Sequence, residues 1–395
     1  MEGGAFYMII KPTLFTFSMS RGPATEPEHR LTRESIFHVT WYQSAEWRQQ
    51  MEDDNRKKAF NYAALLLAAC VIYAFSRYGS EYHIRILNNM AVFIALAVSY
   101  NLVNGFCGIL HLGPNGFIAI GAYTAALLTM SPAEKQLNFI IEPLIWPLNV
   151  IQVPFALSLV AAGLVAGLFA LAISFPVFRV RGDYLAIVTL GFGEVVRVLC
   201  NAFQNVTNGP LGLKGLVPHT NLWWSWGVAI ATIIVVNRLM NSSYGRAMKA
   251  IREDETAARS VGIDPFRHLL LAFVISAFIS GVAGGLLAHL ITTISPTLFT
   301  FFLTFNLLIM IVVGGLGSTT GAVVGAALFA WGGEALRIVE RPMDLGIVII
   351  PGIPGMRMVV FSFILMLVII FARRGIMGQN EFSWDRIARL KAREH

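Results

Sequence analysis

Charge is scarce in this chain. Only 13% of its 395 residues are Asp, Glu, Lys or Arg, while 56% are hydrophobic; an ordinary soluble domain carries charge on about a quarter of its residues. That shortage excludes a water-soluble fold for most of the length. Cysteine is scarce too. Cys70, Cys107 and Cys200 show neither CxxC pairing nor metal-ligand spacing, which excludes a disulfide scaffold and leaves them as small residues of apolar spans. There is no HExxH, no Ser/His/Asp arrangement and no cluster of metal ligands. A phosphate cradle of the form GxxxxGKS/T is also missing: Gly209-Pro210-Leu211-Gly212-Leu213-Lys214-Gly215 lacks both the spacing and the hydroxyl residue. The reading is of a chain that is not an enzyme and binds no cofactor or metal of its own. The net charge of +7 does not point to nucleic acid, because the basic residues are spread through connections rather than gathered on one helical stripe.

Long apolar runs are what the chain has in abundance. From residue 59 onward ten segments recur, at roughly 59–76, 84–104, 114–130, 153–175, 184–203, 222–240, 267–292, 298–313, 318–338 and 356–372. Most approach the ~20 residues that a helix needs to cross a ~30 Å hydrocarbon layer. The expected fold class is an all-α polytopic membrane protein with about ten transmembrane or membrane-embedded helices. Residues 1–58 form a polar extension, expected to be disordered or partly artefactual, with a candidate functional start at Met51; 59–375 form the membrane domain and 376–395 a tail. Arg56, Lys57, Lys58, Arg179, Arg181, Arg238, Arg246, Lys249, Arg252, Arg259, Arg267, Arg373 and Arg374 all fall on one side of this topology. Lys135, Lys214 and Arg341 fall on the other. The positive-inside rule places both termini and the loop 241–266 in the cytoplasm, and Trp146, Trp223, Trp224 and Trp226 near outer ends.

Glycines at every fourth position, Gly317, Gly321 and Gly325, and the pair Gly163 and Gly167, read as close helix packing in lipid. Ionisable groups inside spans are costly there, so each needs a role. Glu194 and Arg197 stand three apart on one helix and can neutralise each other, as a structural pair or along a pathway; Glu334 and Arg337 repeat the spacing near an outer end. The stretch from Ser242 to Pro265 is polar yet patterned. Ser242 or Ser243 can cap a helix, Met248, Ile251, Ala258 and Val261 lie on helical spacing, and Gly262 with Pro265 gives a stop. One or two short amphipathic helices follow, readable by a soluble partner through charge and a small apolar knob. A solvated connector is the alternative.

The pattern Gly245-Arg246-Ala247-x-Lys249-Ala250-Ile251-Arg252-Glu253-Asp254-Glu255-x-Ala257-Ala258-x-x-x-Gly262-Ile263 resembles the coupling loop of high-affinity branched-chain amino-acid ABC permeases of the LivM type. Four further stretches resemble that family in order: Gly116 to Leu127, Arg181 to Glu194, Thr207-Asn208-Gly209-Pro210-x-Gly212, and Val313 to Ser318. The resemblance runs from about residue 84 to 378. It implies a bacterial inner-membrane importer in which this chain pairs with a related LivH-type permease. Two cytoplasmic ATPase subunits would use ATP and Mg, and a periplasmic binding protein would deliver substrate. It also implies that Arg246, Ile251, Arg252, Glu253, Asp254, Glu255, Ala258 and Gly262 form the ATPase-coupling surface. Pathway candidates are Asn115, Tyr123, Tyr184, Thr189, Glu194 and Arg197. One departure bears on substrate. Where the family often reads Leu-Ser-Leu-Gly-His or Gln, this chain reads Leu110-His111-Leu112-Gly113-Pro114-Asn115, and Pro114 can open a helix whose free start lines a cavity. Urea, short amides or other amino acids stay open as substrates. A passive channel and an intramembrane enzyme are the rival classes.

Overall fold

The computed structural model describes residues 79–179, 182–336, 375–378 and 381, with isolated positions at 73, 76, 77, 343, 344, 349 and 350 and between 356 and 370. The expected segments at roughly 59–76 and 356–372, the extension 1–58 and most of the tail lie outside the described residues, as do Arg181 and Arg337. The helices are α1 (Glu81–Asn101), α2 (Pro114–Thr129), α3 (Pro132–Asn138), α4 (Phe155–Val177), α5 (Asp183–Ala202), α6 (Leu222–Asn241), α7 (Ser243–Glu253), α8 (Glu255–Ser260), α9 (Pro265–Ile291), α10 (Phe301–Gly314) and α11 (Thr319–Ala335). A two-residue antiparallel ladder pairs β1 (Leu213–Lys214) with β2 (Thr293–Ile294).

Local sequence sets the helix starts. Pro114 opens α2 at a position where its missing N–H is not needed. Asn221 accepts from the Trp224 N–H at 3.0 Å at the head of α6, and Ser318 accepts from the Gly321 N–H at 3.0 Å at the head of α11. Among the described residues, six helical stretches are long and apolar enough to cross a membrane: Glu81–Phe106, Phe155–Val177, Tyr184–Ala202, Leu222–Asn241, Pro265–Ile291 and Pro296–Gly314. The segments expected at 114–130 and 318–338 are the shorter helices α2 and α11, of 16 and 17 residues. For α2 the reason is where it begins. The Leu112 N–H donates to Thr189 Oγ1 at 2.9 Å, and Thr189 lies six residues into α5, about 9 Å along its axis. The chain before α2 thus climbs into the bundle as irregular backbone.

α9 occupies the centre, packed against α2, α4 and α1, while α1 carries α11, α6 and α10 on its other sides. Lipid offers no hydrophobic drive between helices, so close backbone approach has to supply the attraction. A methyl group on Gly281 of α9 would stand 2.6 Å from the Ala166 Cβ and 2.7 Å from the Ala162 carbonyl oxygen of α4. Only hydrogen fits there. Gly325 meets the Met310 carbonyl in the same way, so the repeat Gly321/Gly325 packs α11 on α10, whereas Gly317 sits in the preceding turn with φ +81°. Polar side chains add to this packing. Ser99 Oγ donates to the Ser276 carbonyl at 2.7 Å, and Ser276 Oγ donates back to the Ser99 carbonyl at 2.8 Å. His289 is buried, with Nε2 3.0 Å from Thr129 Oγ1 and Nδ1 2.9 Å from the Val217 carbonyl.

At one end of the bundle lie α7, α8 and the basic residues Arg179, Arg238 and Arg267. Arg85, Lys135 and Lys214 mark the opposite end. There the Lys135 side chain is buried and donates to the carbonyls of Leu148 and Ile151 at 2.7 and 2.5 Å, tying down the connection to α4; burial holds its pKa below the ordinary lysine value. Replacing Gly281 by Val is expected to lower stability by about 1–3 kcal/mol or more through overpacking. Gly227→Ala, where a methyl group meets nothing within 4 Å, is expected to leave it unchanged. Thermal unfolding of the detergent-purified protein checks both.

Candidate functional site

The stretch between α6 and α9 folds as two short helices broken at Asp254, whose backbone is extended. Ser242 accepts from the Gly245 N–H at 3.4 Å and starts α7. Asp254 ends it and caps α8, taking the N–H groups of Thr256 and Ala257 at 2.7 and 3.0 Å. Gly262, at φ +85°, turns the chain toward Pro265, the first residue of α9. Met248, Ile251 and Ala258 are buried. The apolar face read as a knob therefore holds the module onto the bundle. What it presents outward is Tyr244, Val261 and charge: Glu253 is exposed, Glu255 and Arg259 are paired at 2.6 Å, and Arg246 donates to the Asn241 carbonyl at 3.2 Å.

Arg252 is the exception on that charged surface, because its side chain turns inward. Nη1 donates to the Gly105 carbonyl at 3.0 Å, and Nη2 stands 3.4 Å from Glu253 Oε1. Gly105 belongs to a π-helical turn, Leu102–Phe106, that ends α1. Gly108 and Gly317 leave the space the guanidinium and its stem occupy: a Cβ on Gly317 would lie 2.7 Å from Nη1, and one on Gly108 would strike the Arg252 Cγ. Asn101 continues the line. Its Oδ1 accepts from the Gly317 N–H at 3.1 Å and its Nδ2 donates to the Ser318 carbonyl at 2.9 Å. Two side chains thus join the parts: Arg252 ties α7 to the end of α1, and Asn101 ties α1 to the turn before α11.

Beyond that joint the backbone from Cys107 to Gly113 has no regular structure; the N–H groups of Cys107 and Ile109 reach back to the carbonyls of Leu102 and Val103, and side chains meet polar groups from His111 to Gly113. The His111 carbonyl takes Tyr100 Oη–H at 2.6 Å and Asn104 Nδ2–H at 3.3 Å. The Gly113 N–H points to His111 Nδ1 at 3.3 Å. The His111 ring itself sits among Phe117, Phe273 and Tyr100. This satisfies the rule that non-helical backbone at membrane depth survives only inside protein, and the residue that departs from the family pattern is part of the stitching.

Three of the pathway candidates come together where α2 meets α5. Asn115 and Tyr123 are buried on α2, near Phe299. Asn115 Nδ2 donates to the Phe299 carbonyl at 3.2 Å, while Asn115 Oδ1 and Tyr123 Oη have no hydrogen-bond partner among the described residues. Thr189 is buried and bonded to Leu112. Glu194 and Arg197 pair on α5 at 2.7 Å, each with about a third of its side chain exposed: 32% and 31%. An ion pair that open in a span must face water or protein rather than hydrocarbon. Tyr184 stands apart, exposed at the head of α5. Glu334 accepts a hydrogen bond from Tyr82. Among the described residues no three His, Cys, Asp or Glu side chains converge as for a metal, and Cys107 and Cys200 are buried thiols. Sequence reasoning missed Gly105, Gly108 and Gly317 as the socket of Arg252; the available signal was polar Asn101 and Asn104 at the end of an apolar run.

Comparison with known proteins agrees with this architecture. The family model described as branched-chain amino acid transport system / permease component matches residues 82–372. The high-affinity branched-chain amino acid transport system permease protein LivM of Salmonella typhimurium is 35% identical over 317 residues, covering 71% of this chain and 69% of the relative. The protein of that name from Escherichia coli K12 is 34% identical over 316 residues, with the same shares covered. The permease protein LivH of Escherichia coli K12 is 31% identical over 140 residues, covering 35% of this chain and 41% of the relative. No solved structure matches the chain. A family match across most of the described bundle leaves one conclusion: the chain belongs to the family of branched-chain amino acid transport system permease components.

Proposed function

We propose that this chain is the translocation subunit of an ATP-driven importer for branched-chain or related amino acids. The observation that carries the reading is the family match over residues 82–372. The α7–α8 module, latched to the membrane helices by Arg252, supports it. In this reading the chain lies in the bacterial inner membrane with ten membrane helices, counting the segments at roughly 59–76 and 356–372, and with both termini in the cytoplasm. The crowding of basic residues at the α7–α8 end supports that orientation. A related permease pairs with it, and a periplasmic protein delivers the solute. Two ATPase subunits hold the outward face of α7 and α8, where Arg246, Glu253 and Glu255 are displayed. ATP and Mg belong to those subunits.

The coupling works through differential contact. A ligand or partner moves an equilibrium only by the difference in its affinity for the two states. Closure of the ATPase pair displaces α7; Ile251 and Met248 are buried in the bundle and Arg252 is bonded to Gly105, so the end of α1 moves with it. The irregular segment 107–113 passes the displacement to the head of α2, where Asn115 and Tyr123 present unpartnered polar atoms toward α5. Glu194 and Arg197 then line the water-accessible side of that path.

Two outcomes check the reading. Replacing both Glu253 and Glu255 by Lys is expected to cut ATP-driven uptake by about tenfold or more, within the range of coupling free energies of roughly 1–3 kcal/mol, with membrane abundance unchanged; wild-type uptake by this variant removes the module from the mechanism. In the reconstituted transporter Arg252→Ala leaves ATP hydrolysis running but suppresses import, because the Gly105 carbonyl loses its donor. Arg252→Lys restores part of the import. Equal loss of hydrolysis and import in both variants would assign Arg252 to assembly instead.

A further inference from the structure

A second feature lies beside the latch. An open cavity of about 470 Å³ is enclosed by α7 and α8, the end of α4, the heads of α5 and α9, and the loop after Cys107. Among the described residues, its charged lining is three arginines, Arg179, Arg252 and Arg259, and one carboxylate residue, Glu255. Glu255 is paired with Arg259 through Nη2, and Arg252 meets Gly105 through Nη1 and Glu253 through Nη2, so each guanidinium, with five N–H donors, keeps some for a further acceptor. Arg179 has no ion-pair partner among the described residues, so the cavity keeps an excess of positive charge. Its other wall is apolar: Phe178, Phe266 and Leu269.

Position decides what such a cavity suits. Phe178, Arg179 and Gly182 lie between the spans Phe155–Val177 and Tyr184–Ala202, and Pro265 and Phe266 begin the span Pro265–Ile291. The site therefore stands at the level where hydrocarbon gives way to headgroups. Phe175 and Tyr184, close in sequence to the lining residues Phe178 and Leu185, are exposed. A soluble anion would have no use for the apolar wall, and an uncharged lipid would have no use for the arginines. We propose that this cavity seats one anionic phospholipid, its phosphate among Arg179, Arg252 and Arg259 and the start of its acyl chains against Phe178, Phe266 and Leu269. Basic pockets between membrane helices are recurrent seats for such headgroups. Because Arg252 lines both the cavity and the joint to Gly105, the bound lipid braces the coupling module against the bundle. The inference rests on the membrane placement of α4, α5 and α9 and not on the transport reading.

The test is lipid retention by native mass spectrometry of the full-length chain purified in detergent, with phosphatidylglycerol, phosphatidylcholine and inorganic phosphate as probes. No ATP or substrate is present, so a failure of the transport reading leaves the measurement intact. Wild type is expected to hold phosphatidylglycerol about tenfold more tightly than phosphatidylcholine, and Arg179→Gln combined with Arg259→Gln to lose that preference. Leu269→Trp, which fills the apolar wall and keeps every charge, is expected to lower retention of phosphatidylglycerol while unfolding at the wild-type temperature without lipid. Unchanged preference in the arginine variant, equal retention of the two lipids by wild type, or full displacement by inorganic phosphate would overturn the assignment.

Discussion

A carbonyl group at the end of a membrane helix must find a donor, and in a bundle surrounded by lipid that donor has to come from the protein. At Gly105 it comes from Arg252, a residue of the loop outside the spans. The bond is possible because the positions around it, Gly105, Gly108 and Gly317, carry no side chain. A surface helix is thereby fastened to the point where α1 stops being regular. Truncating the arginine would leave a buried acceptor unmet, and the cost of an unmet group exceeds the net gain of a typical hydrogen bond.

The rest of the arrangement depends on this fastening in both directions. Inward, the irregular backbone from Cys107 to Gly113 is held by Tyr100, Asn104, His111 and Thr189, so the head of α2 is fixed to α1 and α5. Outward, Met248, Ile251 and Ala258 press α7 and α8 onto the bundle, leaving charged groups for a partner. Rigid transmission needs a rigid receiver, and the glycine contacts of α9 with α2 and α4 supply it. Close packing of this kind moves as a body rather than deforming continuously.

Much of the fold was legible in the sequence because lipid imposes a simple rule. A run near twenty apolar residues, punctuated by Gly, Pro or Ser, marks a helix with few competing explanations, and α1, α2, α4, α5, α6, α9, α10 and α11 fall on expected segments, whereas the short α3 was not among them. The module at 242–264 was legible for a related reason: Ser242, Asp254 and Gly262 are local signals that act through neighbouring atoms. The socket of Arg252 was not legible, since Gly105 and Gly317 lie 147 and 65 positions away and nothing local pairs them with an arginine. Helical spacing gave the apolar residues of the loop but not the side they face, so Ile251 is buried whereas Val261 is exposed. The same limit applies at α5, where spacing paired Glu194 with Arg197 but could not separate them from exposed Tyr184.

The claim that the loop and the end of α1 move as one body can be measured directly. Spin labels at the exposed positions Val261 and Leu110, in a variant free of Cys70, Cys107 and Cys200, report their separation by double electron–electron resonance in the assembled transporter. A single distance, unchanged between nucleotide-free and ATP-trapped states while the separation of Leu110 from a label at the exposed Leu137, at the opposite end of the bundle, shifts, is the predicted result. A Val261 to Leu110 distance that changes with nucleotide, with Leu110 stationary against Leu137, would contradict the account.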